Sequence, residues 1–213
     1  DVHWRSISKD NILTVYGRDL QSRIFDPSDK SRIFSWLICE SYDDKGNAIV
    51  YEYAAENEKG IDLSLANECH RERTANRYLK RILYGNSKPL LLDVTKPSFR
   101  KPHTDLIDLS AEGWMLEVVF DYEEAHYAPI PLDETKSENE QHRFVQASSS
   151  PATITWAVRP DPFSSYRAGF EVRSYRRCQR VLMFHRFPEL GDEPYLVRST
   201  EFDYRDLDYS EPL

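Results

Sequence analysis

Apolar and polar residues alternate along most of this chain with a period of two rather than 3.6. That spacing sets successive side chains on opposite faces of a strand. Ala48 to Tyr53 places Ile49, Tyr51 and Tyr53 on one face. Tyr78 to Tyr84 places Tyr78, Ile82 and Tyr84 on one face, with Lys80 among them. Trp114 to Tyr122 reads as a strand rich in β-branched and aromatic residues, and so do Thr153 to Val158, Phe170 to Tyr175, Val181 to Phe187 and Tyr195 to Tyr204. Turn formers punctuate these runs at Asp43 to Asn47, Gly85-Asn86, Lys96-Pro97, Asp161-Pro162 and Glu189 to Asp192. The clearest local unit is a hairpin. Trp36 to Tyr42 and Ala48 to Tyr53 flank a turn whose Gly46 and Asn47 accept positive φ. The pattern predicts a mostly β fold of antiparallel strands and hairpins, curved into a sheet, with long loops and at most short helices.

Two stretches depart from it. Leu63 to Arg77 is polar, lacks Gly and Pro, and is compatible with a short helix. Pro129 to Ser150 carries two prolines, the acidic residues Asp133, Glu134, Glu138 and Glu140, and the triple serine Ser148 to Ser150. It reads as a solvated loop or seam that splits the strands into two groups. Tyr195 to Tyr204 echoes Tyr78 to Tyr84 in its Tyr-Leu-x-Arg start and closing Tyr, a hint of an internal repeat.

Composition narrows the reading. A length of 213 residues bounds the chain to one or two domains, and residues 1–213 read as one β-rich segment. The start at Asp1, without an initiator Met, and the abrupt end at Leu213 suggest a piece of a longer chain. Apolar runs are far shorter than a membrane helix needs, and no basic region followed by an apolar one opens the chain. Aromatic content of 13% argues against disorder. A net charge of -8 argues against a phosphate-backbone binder. Cys39, Cys69 and Cys178 are odd in number and widely spaced, so they form neither a disulfide framework nor a CxxC pair. With Gly counted and Tyr excluded, apolar residues make up about 37%, below the typical share, and seven glycines are about half the usual number. A thin sheet with one wet face, or part of a larger assembly, fits these figures better than a self-contained sandwich.

Chemistry-bearing motifs are few. No nucleophile elbow, zincin helix or phosphate-binding loop occurs. His3, His70, His103, His126, His142 and His185 share no metal-ligand spacing, and the adjacent pair Cys69-His70 reads as solvated polar residues. Glu138-Asn139-Glu140 matches the E-x-E pair of ADP-ribosyltransferases, but the serine run follows it instead of preceding it, so an acidic loop is the better reading. Asp43 to Asn47 lacks the alternating acidic order of a calcium loop and reads as a turn. Arg167, Arg173, Arg176, Arg177, Arg180 and Arg186 interleave with aromatics. Nucleic-acid binding would use such a cluster, but pairing with the acidic run Glu201, Asp203, Asp206 and Asp208 is favoured. Thirteen Tyr and four Trp read first as cross-strand pairs, with sugar stacking as the alternative. The expectation is therefore no catalytic, metal or cofactor residue, and a set of structural ones. Trp36, Tyr42, Asp43, Gly46, Asn47, Tyr51 and Tyr53 would fix the hairpin, and Tyr78, Ile82 and Tyr84 would continue the sheet.

The residues also resemble a known family. Tyr42-Asp43-x-x-Gly46 matches the heart of the YD repeat of Rhs proteins. SRIFSWLICESYDDKGN (31–47), NRYLKRILYGN (76–86) and YRAGFEVRSYRRCQRVLMFHRFPEL (166–190) are similar to successive blocks of the SpvB domain, named for the Salmonella virulence plasmid B protein. So are Asp10-Asn11-Ile12 with Val15-Tyr16-Gly17, and Tyr195 to Ser199. That domain also opens the B components of insecticidal Tc toxin complexes. The resemblance implies a wall segment of a hollow shell of antiparallel strands, built with an Rhs-repeat C component. The shell holds an unfolded cargo polypeptide until a pore-forming A component delivers it. It implies assembly in the bacterial cytoplasm, then an extracellular location, with no nucleic-acid partner and no direct membrane insertion. It also implies that the ADP-ribosyltransferase of SpvB and the protease of the C component lie in other segments, so no family catalytic residue carries over. A surface glycan- or protein-binding β module of a secreted virulence factor is the alternative.

Overall fold

Eight strands pair into one antiparallel sheet in the computed structural model, which describes residues 2–90, 113–129, 145–150 and 156–204. They are β1 (Trp4–Ile7), β2 (Leu13–Tyr16), β5 (Ile38–Tyr42), β6 (Ala48–Ala55), β7 (Arg77–Asn86), β8 (Trp114–Asp121), β13 (Arg180–His185) and β14 (Tyr195–Glu201), in the order β1-β2-β5-β6-β7-β8-β13-β14. Three two-stranded sheets interrupt the meander: β3 (Arg23–Asp26) with β4 (Asp29–Trp36), β9 (Tyr127–Pro129) with β10 (Val145–Ala147), and β11 (Phe163–Ser165) with β12 (Val172–Ser174). Among the described residues the helical content is confined to 3-10 conformation, at Pro188–Leu190 and at Gly113, so the mostly β reading stands. No helix of the described residues is long and apolar enough to cross a membrane.

The hairpin at Tyr42 is β5–β6, with Tyr42 opposite Ala48. The Asp43 carboxylate accepts the amides of Lys45 and Asn47 at 2.9 Å and the Asn47 side-chain amide at 2.6 Å. Gly46 sits at φ +87°, where a side chain is strained. Asn47 does not share that conformation; its part is the side-chain tie to Asp43. Trp36 is a correction, because it closes β4 rather than opening the hairpin. Leu37 interrupts the run, its amide donating to Ser22 O at 2.8 Å and its carbonyl accepting Gly17 N at 2.7 Å. Trp36 packs edge-on against Trp4, with Arg23 over its ring.

A bulge corrects the face predicted for β7. Arg81 opposes Glu52 and Leu79 opposes Tyr53, which leaves Lys80 as the extra residue. Ile82 and Tyr84 share the face of Tyr51 and Ile49, whereas Tyr78, past the bulge, lies opposite Ala54 on the other face. Gly85-Asn86 is the end of β7 rather than a turn, although Gly85 keeps φ +67°.

Leu63 to Arg77 forms a chain of turns, not a helix, up to the start of β7. Asp62 binds the Ser64 amide and hydroxyl, and Glu72 does the same for Thr74, so local side chains take the backbone partners a helix would need. Phe170 to Tyr175 pairs only over β12, and the strand starting at Tyr195 stops at Glu201. Within the 129–150 stretch, Pro129 ends β9 and Val145–Ala147 forms β10, which pair, while 148–150 is not strand. Lys96-Pro97, His103, Glu138-Asn139-Glu140, His142 and residues 153–155 lie outside the described residues, and Trp156 to Val158 is not strand.

Three apolar clusters hold the sheet. Val15, Cys39, Tyr42, Ala48, Leu83, Leu90 and Trp114 form one. Val119, Leu182 and Phe184, under Tyr127, Ala147 and Leu196, form another. The third is aromatic: Tyr78, Tyr122 and Trp156 meet edge-to-face with centroids 5.2–5.9 Å apart. Such contacts add about 0.5–1.5 kcal/mol each beyond burial. Replacing Gly46 by Val forces a β-branched residue into the left-handed region. It is expected to destabilise the chain by about 1 kcal/mol or more, read as a lower urea unfolding midpoint.

Candidate functional site

The two faces of the sheet differ in kind. One cross-strand row runs Glu40, Val50, Leu83, Glu117, Phe184 and Leu196, and the next runs Glu52, Arg81, Val119, Leu182 and Ser199. On the opposite face, Ile49, Tyr84, Leu116 and His185 form one row, and Tyr51, Ile82, Val118 and Met183 the next. In β8 the fully buried face carries Glu117, Val119 and Asp121, while Leu116, Val118 and Phe120 are half-buried.

Burying carboxylates costs several kcal/mol each unless cations and hydrogen bonds compensate. Compensation is present at every one. Glu117 lies 2.8 Å from Arg81 Nε and accepts from Arg186 at 2.5 and 3.0 Å. Asp121 accepts from Arg180 at 3.1 Å, and Arg180 also reaches Glu201 at 3.5 Å. Glu40 accepts the Tyr42 hydroxyl at 2.5 Å, with Arg18 at 3.5 Å.

Beyond the sheet, two buried pairs tie the turns after β6 to the segment before β13. Arg176 and Glu56 are both wholly buried. Arg176 Nε donates to both Glu56 oxygens at 2.9 and 3.1 Å, and its remaining nitrogens donate to Trp156 O at 2.9 Å and Lys59 O at 3.0 Å. Its guanidinium stacks 4.9 Å from the Trp156 ring centroid. Glu56 also accepts the Tyr78 hydroxyl at 3.2 Å, and that hydroxyl accepts the Tyr175 amide at 3.0 Å. Burial, then the Glu56 charge, pushes the Tyr78 phenol up to about 12.

The second pair is Arg173 with Glu68, which also accepts the Tyr175 hydroxyl. Burial alone raises the Glu68 carboxyl. The Tyr175 and Arg173 hydrogen bonds and the Arg173 charge outweigh it and hold the group below its usual value. Glu171 behaves alike, held down against burial by Ser164, Arg71 and the Glu72 amide.

The residues named from sequence therefore do structural work at separate points. Tyr42, Asp43, Gly46 and Asn47 meet at the hairpin, Tyr53 donates to Ile38 O at 2.8 Å, and Tyr51, Ile82 and Tyr84 share the half-buried face. Tyr78 belongs to the aromatic cluster, and Trp36 to the β3–β4 sheet. Reasoning from sequence did not find the carboxylates Glu40, Glu56, Glu68, Glu117 and Asp121. The arginine run was visible, but its expected partners were not: Arg173, Arg176 and Arg186 take Glu68, Glu56 and Glu117, and only Arg180 reaches Glu201 among these. Asp206 and Asp208 lie outside the described residues. Two carboxylates four positions apart on one face of an apolar strand, Glu117 and Asp121 on either side of Val119, were the available signal. The described residues hold no group of three or more His, Cys, Asp or Glu able to bind a metal.

Replacing Glu56 by Gln or Arg176 by Met strands the opposite charge in the interior. Each is expected to cost about 3 kcal/mol or more, and the double replacement less than the two costs added, as read by urea unfolding of the three variants. Acid acts on the depressed carboxyls of Glu68 and Glu171. Their stabilisation is complete above the unfolded-state value near 4.5 and is lost as pH falls through the folded value. An acid titration of unfolding is expected to show less loss in Glu68→Gln than in the wild type.

The comparisons with known proteins agree with this architecture. The family described as Salmonella virulence plasmid 65kDa B protein matches residues 1–187. The mono(ADP-ribosyl)transferases SpvB of Salmonella typhimurium (strain 14028s / SGSC 2262) and Salmonella dublin are 35% identical over 205 residues, 96% of this chain and 30% of theirs. The chain thus spans under a third of the length of these relatives. The N-terminal domain of effector protein SpvB from Salmonella typhimurium strain LT2 aligns with a TM-score of 0.70 at 30% identity, covering 95% of this chain and 62% of that one. A crystal structure of TcdB2-TccC3-TEV aligns at 0.74 and 29%, covering 96% and 9%. The Photorhabdus luminescens Tc holotoxin pore carrying TccC3-D651A aligns at 0.68 and 26%, also covering 96% and 9%. With the family matched over residues 1–187 and the same architecture found in these relatives, the protein belongs to the SpvB family.

Proposed function

We propose that this chain is a non-catalytic wall segment of a toxin-complex B component, part of a hollow β-shell around a cargo polypeptide. The observation that carries the reading is the open eight-stranded sheet. Its outer strands β1 and β14 each pair on one side within the sheet and are mostly exposed. Open edges of that kind invite pairing with further strands, and adjoining wall would supply them. The low apolar content and the shared architecture with TcdB2-TccC3 structures support the same reading.

The mechanism is physical. Paired strands make a barrier that a cargo chain cannot cross, and the buried ion pairs keep it stiff. The partners on this reading are an Rhs-repeat C component, a pore-forming A component and the cargo. Assembly is in the bacterial cytoplasm and the final location extracellular. The transferase named in the curated relatives is assigned to the part of those proteins that this chain does not span. A surface-binding module is the second reading, favoured by exposed Trp4, Tyr166 and Tyr195, which are 54–62% accessible.

Sedimentation velocity of the 213-residue chain tests the wall reading. Concentration-dependent association is expected, and Val197→Lys on β14 is expected to weaken it. A monomer at all concentrations, with a glycan-array signal lost in Trp4→Ala, would favour the binding module. Labelled NAD is expected to leave no label on acceptor protein. Label that disappears in Glu140→Gln would overturn the non-catalytic assignment.

A further inference from the structure

The two borders of the eight-stranded sheet have matching backbone geometry. At the β1 border the Ser8 amide donates to Ile12 O at 3.0 Å, continuing the β1–β2 register. Bonded and non-bonded positions alternate along an antiparallel pair. Trp4 and Ser6 therefore bond to β2, while Arg5 and Ile7 turn their backbone N–H and C=O outward. At the other border the Phe202 amide donates to Gln179 O at 2.9 Å, in the register that sets Glu201 opposite Arg180. By the same alternation Thr200 bonds to β13, while Ser199 and Glu201 turn outward. The bulge in this pairing falls at Val197, so the regular part of the border begins at Arg198. Trp4–Ile7 and residues 198–201 are exposed throughout. Neither stretch carries the lysine or proline that blunts a sheet edge.

We infer that β14 of one copy of this chain pairs with β1 of a second copy, antiparallel, with Glu201 opposite Arg5. Direction allows it. β1 and β14 stand first and eighth in a sheet whose every pairing is antiparallel, so they run in opposite senses when one copy is set beside the next. Hydrogen-bond phase selects the register. With Glu201 opposite Arg5, Ser199 falls opposite Ile7, and outward-turned backbone groups meet at both positions. The faces agree as well. Directly opposed residues share a face. Ser6, Thr14, Ser41 and Ile49 form a row that continues through Tyr84 and Leu116 to His185. Thr200 lies opposite Val181 on that same face. Trp4 and Phe202 therefore share one face, and Arg5 and Glu201 the other, so both faces run on unbroken from copy to copy. The register also sets Trp4, 62% exposed, against Phe202, 42% exposed.

Charge favours the same partner. Around β14, Asp192, Glu193, Glu201 and Asp203 are exposed, against Arg198. Around β1, Arg5 and Lys9 are exposed, against Asp10. The inferred register brings Arg5 to Glu201 and His3 to Asp203. Glu201 keeps 56% of its side chain exposed, with Arg180 at 3.5 Å. Burial, then the charges of Arg5, Arg18 and Arg23, hold the His3 imidazole below its ordinary value, as an electropositive border does. Pairing β1 with β1 would join two basic borders, and β14 with β14 two acidic ones. The inference rests on the open edges that also carry the wall reading, and adds to them the partner and the register.

The test is sedimentation velocity at low salt of the wild type, of Arg5→Glu, of Glu201→Lys, and of the two variants mixed in equal amounts. Each variant alone sets like charges opposite one another, whereas the mixture restores opposite charges at every junction. The wild type is expected to associate. Each variant alone is expected to need a concentration about fivefold higher or more, and the mixture to return to the wild-type range. Ile7→Pro removes one outward N–H and no bond to β2, and is expected to weaken association without a charge change. Association that neither charge variant weakens, a mixture no tighter than its components, or an Ile7→Pro chain that associates as the wild type does overturns the inference. Those results leave the open-edge reading standing, because another edge pairing then carries the association. A wild type that stays monomeric at every concentration overturns both.

Discussion

The contact between Glu56 and Arg176 fixes more of this structure than any single strand pairing. It joins residues 120 positions apart, both wholly buried, and every nitrogen of the guanidinium has an acceptor. Through Tyr78 it reaches the aromatic cluster and the Tyr175 amide, and through Lys59 O it holds the turns after β6. A hydrophobic pair of equal volume would stabilise as well or better. The ion pair adds directionality, because a planar fork bonds in one orientation. In a chain with few apolar residues and long turns, orientation is what the core cannot supply by shape alone.

The same logic explains the acidic buried face of β8. Its Glu117 and Asp121 sit on the fully buried face because β7, β13 and the residue after β13 each bring an arginine to them. With charges covered in this way, the apolar positions of β6, β7, β8 and β13 are left half-buried on the other side. Both faces of the sheet thus carry apolar side chains, and neither resembles the polar face of an isolated one-sided sheet.

Much of this fold was legible from sequence, for reasons that can be stated residue by residue. The Asp43–Asn47 turn was readable because its determinants are local: an acidic side chain that caps three amide groups and a glycine at positive φ. The central strands were readable because period two is a property of each strand by itself. What failed depended on partners far along the chain. The bulge at Lys80 is set by Glu124 and Phe120 O, some forty residues away, and it moves Tyr78 to the opposite face from Ile82. Trp36 looked like the hairpin's first residue because nothing in Ser35-Trp36-Leu37 announces that Leu37 bonds to Gly17 and Ser22. The ion pairs were half-visible: the arginines cluster in sequence, while their carboxylates are scattered from Glu56 to Asp121. The polar run from Leu63 failed as a helix because Asp62 and Glu72 capture local amides and hydroxyls and Glu68 turns inward to Arg173.

The strand order has a geometric consequence. β1 and β14 stand at opposite ends of an eight-strand sheet, and seven inter-strand steps of about 4.8 Å separate them by about 34 Å before twist is counted. In many domains the two chain ends emerge close together, which lets the domain be inserted into a loop of another protein. Here the first strand lies on one border of the sheet and the last on the far one. Joining the start of β1 to the end of β14 in a circular permutant would therefore take a linker long enough to cross the sheet.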